Sequence, residues 1–261
     1  MAYSPDYRTY PGAQGPGVQT ASAAVIDAGL RAYMLRVYNW MTSGLVLTGI
    51  VAYAIAHTGL SELFYTMTAT PDGRIVPHPT GLGLISIFAP LAFVMVLSLG
   101  VNRLSRSTAQ LLYWLFAAAM GASLTNIFFI YTESSIGRVF FITAATFAAM
   151  SIWGYTTRTD LSRFGSFLMM GLIGIIIASV VNIFVASSAL QFLVSIVGVL
   201  VFTGLTAYDT QRIKADYVQY AYAAGTEGAA KRSVYDALSL YLNFINLFML
   251  MLQLLGNRNS N

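Results

Sequence analysis

Seven apolar runs, each long enough to cross a lipid bilayer as a helix, occupy most of this chain of 261 residues. A helix needs about 20 apolar residues to cross the roughly 30 Å hydrocarbon core of a membrane. Only 9% of the residues are charged and 57% are hydrophobic, whereas soluble domains carry about 25% charged residues. The sequence therefore predicts an all-α, polytopic membrane protein with seven transmembrane helices. In chain order the runs cover residues 37–56, 82–101, 109–130, 139–155, 166–186, 190–208 and 234–255.

The polar segments divide the chain into a tail, a membrane domain and a short end. Residues 1–30 are rich in Gly, Pro, Ala, Ser and Thr, a composition typical of flexible segments, so we expect a flexible cytosolic tail. Residues 31–256 form the predicted seven-helix transmembrane domain, and residues 257–261 a short C-terminal tail. The connection 57–80 contains three prolines and predicts an external loop with a short interfacial helix near 60–65.

The basic residues are distributed unevenly between the two sides of the predicted membrane domain. With seven crossings, eleven of the 14 Lys and Arg side chains fall on the N-terminal side. Because short cytoplasmic loops carry an excess of Lys and Arg, this asymmetry predicts a cytosolic N-terminus and an external C-terminus. The eleven are Arg8, Arg31, Arg36, Arg103, Arg106, Arg158, Arg163, Arg212, Lys214, Lys231 and Arg232, and the other three are Arg74, Arg138 and Arg258.

The last apolar run carries a polar seam. The seam begins at Asp236, and its other members follow at three, seven, ten and seventeen residues: Ser239, Asn243, Asn246 and Gln253. These spacings align the five side chains along one face of a helix. Lipid cannot hydrogen-bond an amide or a carboxylate, so such groups are costly at membrane depth. We therefore expect this helix to lie inside the bundle with its neighbours around it.

A second polar feature ends the sixth apolar run. The segment GLTAYDTQRIK, residues 204–214, places Asp209 at the predicted membrane edge. The alternative interpretation of Asp209 and of Asp236 is a solvated charge at a helix end, and Asp236 is also favourably placed near a helix N-terminus. These two acids are nevertheless the first places to look for function.

Several classes of function are excluded by composition. The chain has no cysteine and two histidines, which leaves no thiolate chemistry and little for a metal site. An intramembrane protease would need an acid/base partner for its nucleophile or clustered metal ligands, and two histidines supply little of either. A retinal protein would need a lysine inside a span, but Lys214 and Lys231 fall in a loop. The net charge of +4 comes from basic residues placed singly at the ends of runs, so we expect no nucleic-acid partner. We predict no enzymatic activity and no resident cofactor.

Four stretches together resemble the Bax inhibitor-1 family of membrane proteins, in its bacterial, YccA-like branch. The resemblance covers the chain from about the first span to residue 248, and it implies a bacterial inner-membrane location. The stretches are GLTAYDTQRIK at 204–214, ALSLYLNFINLF at 237–248, TNIFFIYTESSIGRVFFITAATFAAMSIWGY at 125–155 and TDLSRFGSFLMMGL at 159–172.

The resemblance implies a fold and a mechanism. The fold is a bundle of six helices around a central seventh, and the activity is a proton-sensitive calcium leak. In the family, the closed state is attributed to two aspartates, one in the sixth helix and one in the seventh, that share a proton or a hydrogen bond. The first corresponds to Asp209, and an arginine thought to pair with it on opening falls near Arg103. The second position is Asn243 in this sequence.

Asn243 changes what the resemblance implies about the gate. Two carboxylates a few ångströms apart cannot both stay ionised, whereas an amide neither ionises nor repels Asp209. Two alternatives remain open. Asn243 donates a hydrogen bond to an ionised Asp209, or Asp236 serves as the second acid, roughly 10 Å nearer the cytosol on the same face. Asp209 and Asp236 are also the predicted ligands of a transiently bound calcium ion.

Two functions follow as hypotheses. The first is a membrane channel that leaks calcium or another cation, is modulated by pH, and is gated near the cytosolic ends of the sixth and seventh helices. The second is a regulatory membrane protein that binds a membrane protease or another membrane-protein partner without transport, as YccA-like relatives are thought to do. The lipid bilayer is the common partner of both.

Overall fold

A computed structural model of the protein describes residues 16–69, 75–101, 103–221 and 225–259, most of which are helical. Seven of the helices are long and apolar enough to cross a membrane, which confirms the predicted all-α, seven-span architecture. The elements are α1 (Pro16–His57), α2 (Ser61–Phe64), β1 (Tyr65–Ala69), β2 (Ile75–Pro79), α3 (Gly81–Gly100), α4 (Arg106–Leu124), α5 (Asn126–Ile130), α6 (Glu133–Thr156), α7 (Ser162–Val185), α8 (Ser188–Asp216), a π-helical segment (Tyr217–Ala221) and α9 (Gly225–Leu255).

The helices extend past the apolar runs at several ends. Helix α1 begins at Pro16, so only residues 1–15 of the predicted flexible tail lie outside the described residues, and 16–30 are helical. The helix can begin at Pro16 because proline suits the first turn of a helix. The segment 16–30 is held at its other end by packing, since Leu30 is buried in the core. Hydropathy detects the part of a helix that lies in lipid, and not the polar turns that continue it.

The connection between the first two spans is more ordered than predicted. The short interfacial helix is present as α2. It is followed by an antiparallel hairpin of β1 and β2, in which Tyr65 pairs with Pro79 and Ala69 with Ile75. The prolines of this segment predict turns but do not reveal the hairpin, because proline is compatible with the edge of a sheet.

Helix α9 lies at the centre of the bundle. In its apolar window 61% of the residues are buried, against 6% to 39% in the other six spans. Its neighbours are α1, α4, α6 and α8, while α3 packs on α4 and α7 packs on α8 in the outer layer. The central position of the seventh span is thus confirmed, with four helices in direct contact and two behind them. The fully buried side chains of α9 include Ala237, Leu240, Tyr241, Leu247 and Leu252.

Small residues allow the close approach of these helices. A Cβ added to Gly154 of α6 would collide with the backbone of Ala207 in α8, and one added to Gly121 of α4 would lie 2.6 Å from the carbonyl oxygen of Thr48 in α1. Membrane helices pack mainly through such van der Waals contact, because lipid provides no hydrophobic force between them.

Residues 256–259, which follow α9, are held against the end of the bundle. The Asn257 carbonyl accepts a 3.0 Å bond from the Thr132 amide, and the Asn259 amide donates to the Ile130 carbonyl at 2.9 Å. The Asn257 amide donates to Ser135 Oγ at 2.8 Å. The described part of the predicted C-terminal tail is therefore tied to the connection between α5 and α6.

Candidate functional site

Asp209 and Asn243 meet between the last two spans. Asp209 lies in α8 and is 7% exposed, and Asn243 lies on the facing side of α9 and is 6% exposed. The Asn243 amide nitrogen donates to Asp209 Oδ2 at 2.7 Å. Of the two alternatives left open by the sequence, this contact corresponds to the first, in which the amide donates to the acid.

The other carboxylate oxygen of Asp209 is paired with Arg212. Arg212 Nη1 lies 3.0 Å from Asp209 Oδ1, one helical turn further along α8. Nη2 of the same guanidinium is 3.5 Å from Ser239 Oγ of α9. We call these four residues, Asp209, Arg212, Ser239 and Asn243, the Asp209 latch. Both oxygens of the buried acid thus have a partner, which offsets the cost of removing it from water.

Asp236 belongs to a separate set of contacts. It is 3% exposed, accepts a 2.5 Å bond from the Tyr33 hydroxyl at Oδ2, and accepts a 3.3 Å bond from Arg232 Nε at Oδ1. Arg232 Nη2 also donates to Asp216 Oδ2 at 2.7 Å. We call Tyr33, Asp216, Arg232 and Asp236 the Asp236 cluster; it joins α1, α8 and α9.

The two acids therefore each have their own arginine. The partners of Asp236 are Tyr33 and Arg232, and those of Asp209 are Arg212 and Asn243. Ser239, which Arg212 contacts, lies three residues after Asp236, so the latch and the cluster occupy adjacent turns of α9.

The arginine beside Asp209 is Arg212 and not Arg103. Arg103 is exposed in the turn between α3 and α4, and among the described residues its side chain forms no ion pair. Sequence reasoning missed Arg212 and Arg232 as site residues, although a signal was present. Arg212 follows Asp209 by three residues and Arg232 precedes Asp236 by four, and both spacings place the pair on one helix face.

The polar seam of α9 is buried only in part. Asn243 and Asp236 are buried and Ser239 is half-buried, but Asn246 is exposed and donates to the Leu242 carbonyl of its own helix at 2.9 Å. The expectation that Asn246 faces the bundle interior is therefore wrong. The seam is longer than the buried interface because a strict spacing of seven residues drifts around an α-helix. Gln253 is also exposed, yet it accepts a 2.9 Å bond from Ser195.

Asp209 and Asp236 do not form a shared cage for a cation. Among the described residues no group of three or more His, Cys, Asp or Glu side chains could hold a metal ion. Calcium takes six to eight oxygen ligands, and each acid already has two partners of its own. Transient calcium binding at either acid stays a prediction, and it requires the latch or the cluster to open.

One end of the bundle collects these features. We call it the basic end; it carries Arg31, Arg103, Arg158 and Lys214 together with the latch and the cluster. A bundle of seven membrane-length helices with two buried, arginine-paired acids at one end defines the class of the protein, an integral membrane protein with buried carboxylates at that end.

Comparison with known proteins identifies the family. Residues 30–260 match the family model described as inhibitor of apoptosis-promoting Bax1. The chain is 45% identical to an uncharacterized protein of Rickettsia prowazekii over 92% of this chain and 96% of that one. It is 44% identical to the inner membrane protein YbhL of Escherichia coli K12, over 88% of this chain and 94% of YbhL, and 43% identical to an uncharacterized protein of Caulobacter vibrioides, over 90% and 92%. The chain belongs to the Bax inhibitor-1 family.

Proposed function

We propose that this protein is a cation leak of a bacterial inner membrane that passes calcium and is closed at its basic end by the Asp209 latch. The observation that carries the proposal is the buried Asp209 carboxylate, held between Asn243 and Arg212 where α8 meets the central helix. The name of the relative YbhL supports the inner membrane. The excess of basic residues supports a basic end that faces the cytosol, with the N-terminus on the same side.

The latch has a defined point of opening. Arg212 and Asp209 lie on the same helix, so their ion pair survives a movement of α8 relative to α9. The contacts that such a movement breaks are the Asn243–Asp209 bond and the weaker Arg212–Ser239 contact. Opening would then expose an arginine-paired carboxylate to water, which reduces the cost of separating the two helices.

Proton dependence is expected to be weaker than in relatives with two aspartates. The amide of Asn243 donates to Asp209 without needing a proton to be taken up, so protonation is not required for closure. A separate route to proton sensitivity, independent of the Asp209 latch, is the Asp236 cluster, where Tyr33 and Arg232 hold the second buried acid. Titration of Asp236 would loosen α1 from α9 rather than α8 from α9.

Calcium flux into proteoliposomes that contain a calcium dye tests the proposal. We expect the purified protein to pass calcium faster than protein-free liposomes, and Asp209→Asn to raise the flux, because the variant loses the charge that holds Arg212 and accepts the Asn243 bond. Asp160→Asn is the matched control. Asp160 is an exposed acid in the turn between α6 and α7, where it accepts bonds from the Ser162 amide and hydroxyl. An Asp209→Asn flux equal to that of Asp160→Asn would refute the latch.

A second candidate function is regulation of a membrane protease or another membrane protein without transport. It is favoured by one observation: Asn243, a neutral amide, faces Asp209 at the position where the resemblance implies a second aspartate for a proton-sensitive leak. In the same assay this function predicts no calcium flux from the wild-type protein or from Asp209→Asn.

A further inference from the structure

A deep groove runs along the bundle between α1 and α6. It has a volume of about 940 Å³, and its floor includes Phe244 of the central helix. The α6 side of the groove extends from Phe140 to Tyr155, a length of roughly 22 Å at 1.5 Å per residue. This length exceeds the half-thickness of a hydrocarbon core of roughly 30 Å, the depth that one lipid chain occupies.

The lining of the groove is apolar over most of its length and cationic at one end. Leu35, Val46 and Ile50 of α1 and Ile152 of α6 are exposed side chains on its walls. Arg31 lines the groove at the basic end. Lys214 lies beside the same end, because its ammonium donates to the Tyr155 carbonyl at 2.9 Å and lies 4.9 Å from the centre of the Tyr155 ring.

A polar group without a partner lies in the wall near the basic end. Ser151 lines the groove, and its buried hydroxyl has no hydrogen-bond partner among the residues that the structure describes. Thr143 and Thr146 of the same helix instead donate to the carbonyl four residues earlier. Ser151 is four residues from Tyr155, so it lies roughly 6 Å deeper than the cationic end. A buried polar atom without a partner is uncommon in proteins and requires a structural or functional explanation.

We infer that the groove between α1 and α6 is a binding site for one anionic phospholipid. The phosphate lies at Arg31 and Lys214, the ester region lies at the depth of Ser151, and an acyl chain follows the apolar walls over Phe244. The order of the groove, with cations at the end, a lone hydroxyl below them and hydrocarbon beyond, matches the order of groups along a phospholipid. Two cations at the headgroup select a lipid with net negative charge over a zwitterionic one.

The site is tested by native mass spectrometry of the full chain, purified in detergent and supplied with either palmitoyl-oleoyl-phosphatidylglycerol or palmitoyl-oleoyl-phosphatidylcholine. We expect one phosphatidylglycerol to be retained more strongly than phosphatidylcholine. Arg31→Gln should lower the retention of phosphatidylglycerol by about fivefold, the ratio expected for one arginine near an anionic lipid, and should leave phosphatidylcholine unchanged. Arg36→Gln, an exposed arginine of α1 outside the groove, is the control.

A second pair of variants tests whether the lipid occupies the groove. Ala148 is exposed and lines the groove, whereas its neighbour Ala149 is exposed outside it. Ala148→Phe should reduce retention of phosphatidylglycerol severalfold, and Ala149→Phe should not. Equal retention in these two variants would overturn the site. The site would also be overturned if Arg31→Gln lowered the retention of phosphatidylcholine as much as that of phosphatidylglycerol. A third contrary result would be that Ala148→Phe leaves lipid retention unchanged and instead reduces the copurification of another membrane protein.

Discussion

Asp209 and Asp236 differ in how their charge is balanced and in which helices they connect. Asp209 has a neutral donor from α9 and a cation from its own helix. Asp236 has a hydroxyl donor from α1 and a cation from its own helix. A carboxylate with an amide donor needs no proton to close a contact, and a pair of carboxylates does. If the proposed gate operates, the residue opposite Asp209 therefore decides whether its closure is linked to protons.

Replacing that residue by an acid should introduce proton linkage. In Asn243→Asp two carboxyl groups would lie where one 2.7 Å hydrogen bond now stands, and they could stay together only by sharing a proton. We expect the calcium flux of this variant in proteoliposomes to depend more steeply on pH between about 6 and 8 than that of the wild type. A difference of one unit between the pKa of the shared proton in the closed state and in the open state corresponds to about 1.4 kcal/mol, or about tenfold in the ratio of closed to open protein.

The same measurement separates the two acids. If Asp236 is the proton-sensitive group, the wild type already responds to pH and Asp236→Asn removes the response. If the Asp209 latch is the gate, Asp236→Asn leaves the weak response of the wild type unchanged. Equal pH profiles in the wild type, Asn243→Asp and Asp236→Asn would exclude both acids as the proton-linked gate.

Tyr33 should contribute to stability through its bond to Asp236. Tyr33→Phe leaves a buried carboxylate oxygen without the 2.5 Å hydroxyl donor it now has, and such a loss costs about 1–3 kcal/mol. We expect a lower Tm for this variant in detergent. Tyr53→Phe, at an exposed tyrosine of the same helix, should leave Tm unchanged. A Tm for Tyr33→Phe equal to that of Tyr53→Phe would mean that Arg232 alone satisfies Asp236.

These residues also mark how far the sequence predicts the site. The burial of Asn243 follows from helical periodicity and from the cost of polar groups in lipid. Its pairing with Asp209 is what the resemblance to the family implies. Tyr33 could not be found that way, since it lies 203 residues from Asp236 and a tyrosine near a membrane edge has many other roles. Long-range contacts between helices are set by packing, which a single sequence does not reveal.

At the scale of helices, the bundle depends on backbone approach at small residues. Gly154 allows α6 to touch the backbone of α8 at Ala207, immediately before the turn that carries Asp209. The sequence predicted the number of spans and the central position of the last one. It did not predict the polar extensions of the helices or the hairpin, because neither has the continuous apolar signal by which spans are recognised.

Filling the contact between α6 and α8 should destabilise the protein. Gly154→Leu places a side chain against the Ala207 backbone, which cannot move aside as a flexible side chain would. Overpacking of this kind costs about 1–3 kcal/mol or more. We expect a lower Tm by size-exclusion chromatography after heating. Gly174→Leu is the matched control, because a Cβ there meets no atom within 4 Å; an equal effect of the two substitutions would mean that leucine is harmful for reasons other than this contact.

At the scale of the whole molecule, the two ends of the bundle differ in chemistry. The basic end holds the latch and the cluster. The opposite end holds the hairpin, the hydrogen bond in which His57 Nε2 lies 2.8 Å from Glu133 Oε1, and residues 256–259. Such an asymmetry orients a protein in its membrane, because cytoplasmic segments retain Lys and Arg.

Labelling of single cysteines should report this orientation directly, since the chain has no cysteine of its own. Gly59→Cys lies at an exposed position of the opposite end, where a Cβ meets no neighbour, and Ser107→Cys lies at an exposed position of the basic end. In spheroplasts, an impermeant maleimide should label Gly59→Cys, and should label Ser107→Cys only after the membrane is permeabilised. The reverse pattern would place the basic end, and with it the proposed gate, outside the cell.

The position of α9 has a consequence for how the protein is made. The central helix, which contacts four of the other spans, follows all six of them in the chain, and chains are synthesised from the N-terminal end. Until α9 arrives, Asp209 has no Asn243 and Tyr33 has no Asp236. Until then the early spans lack the helix that fills the centre of the bundle. The buried contacts of both acids can therefore form only after the last span has been inserted.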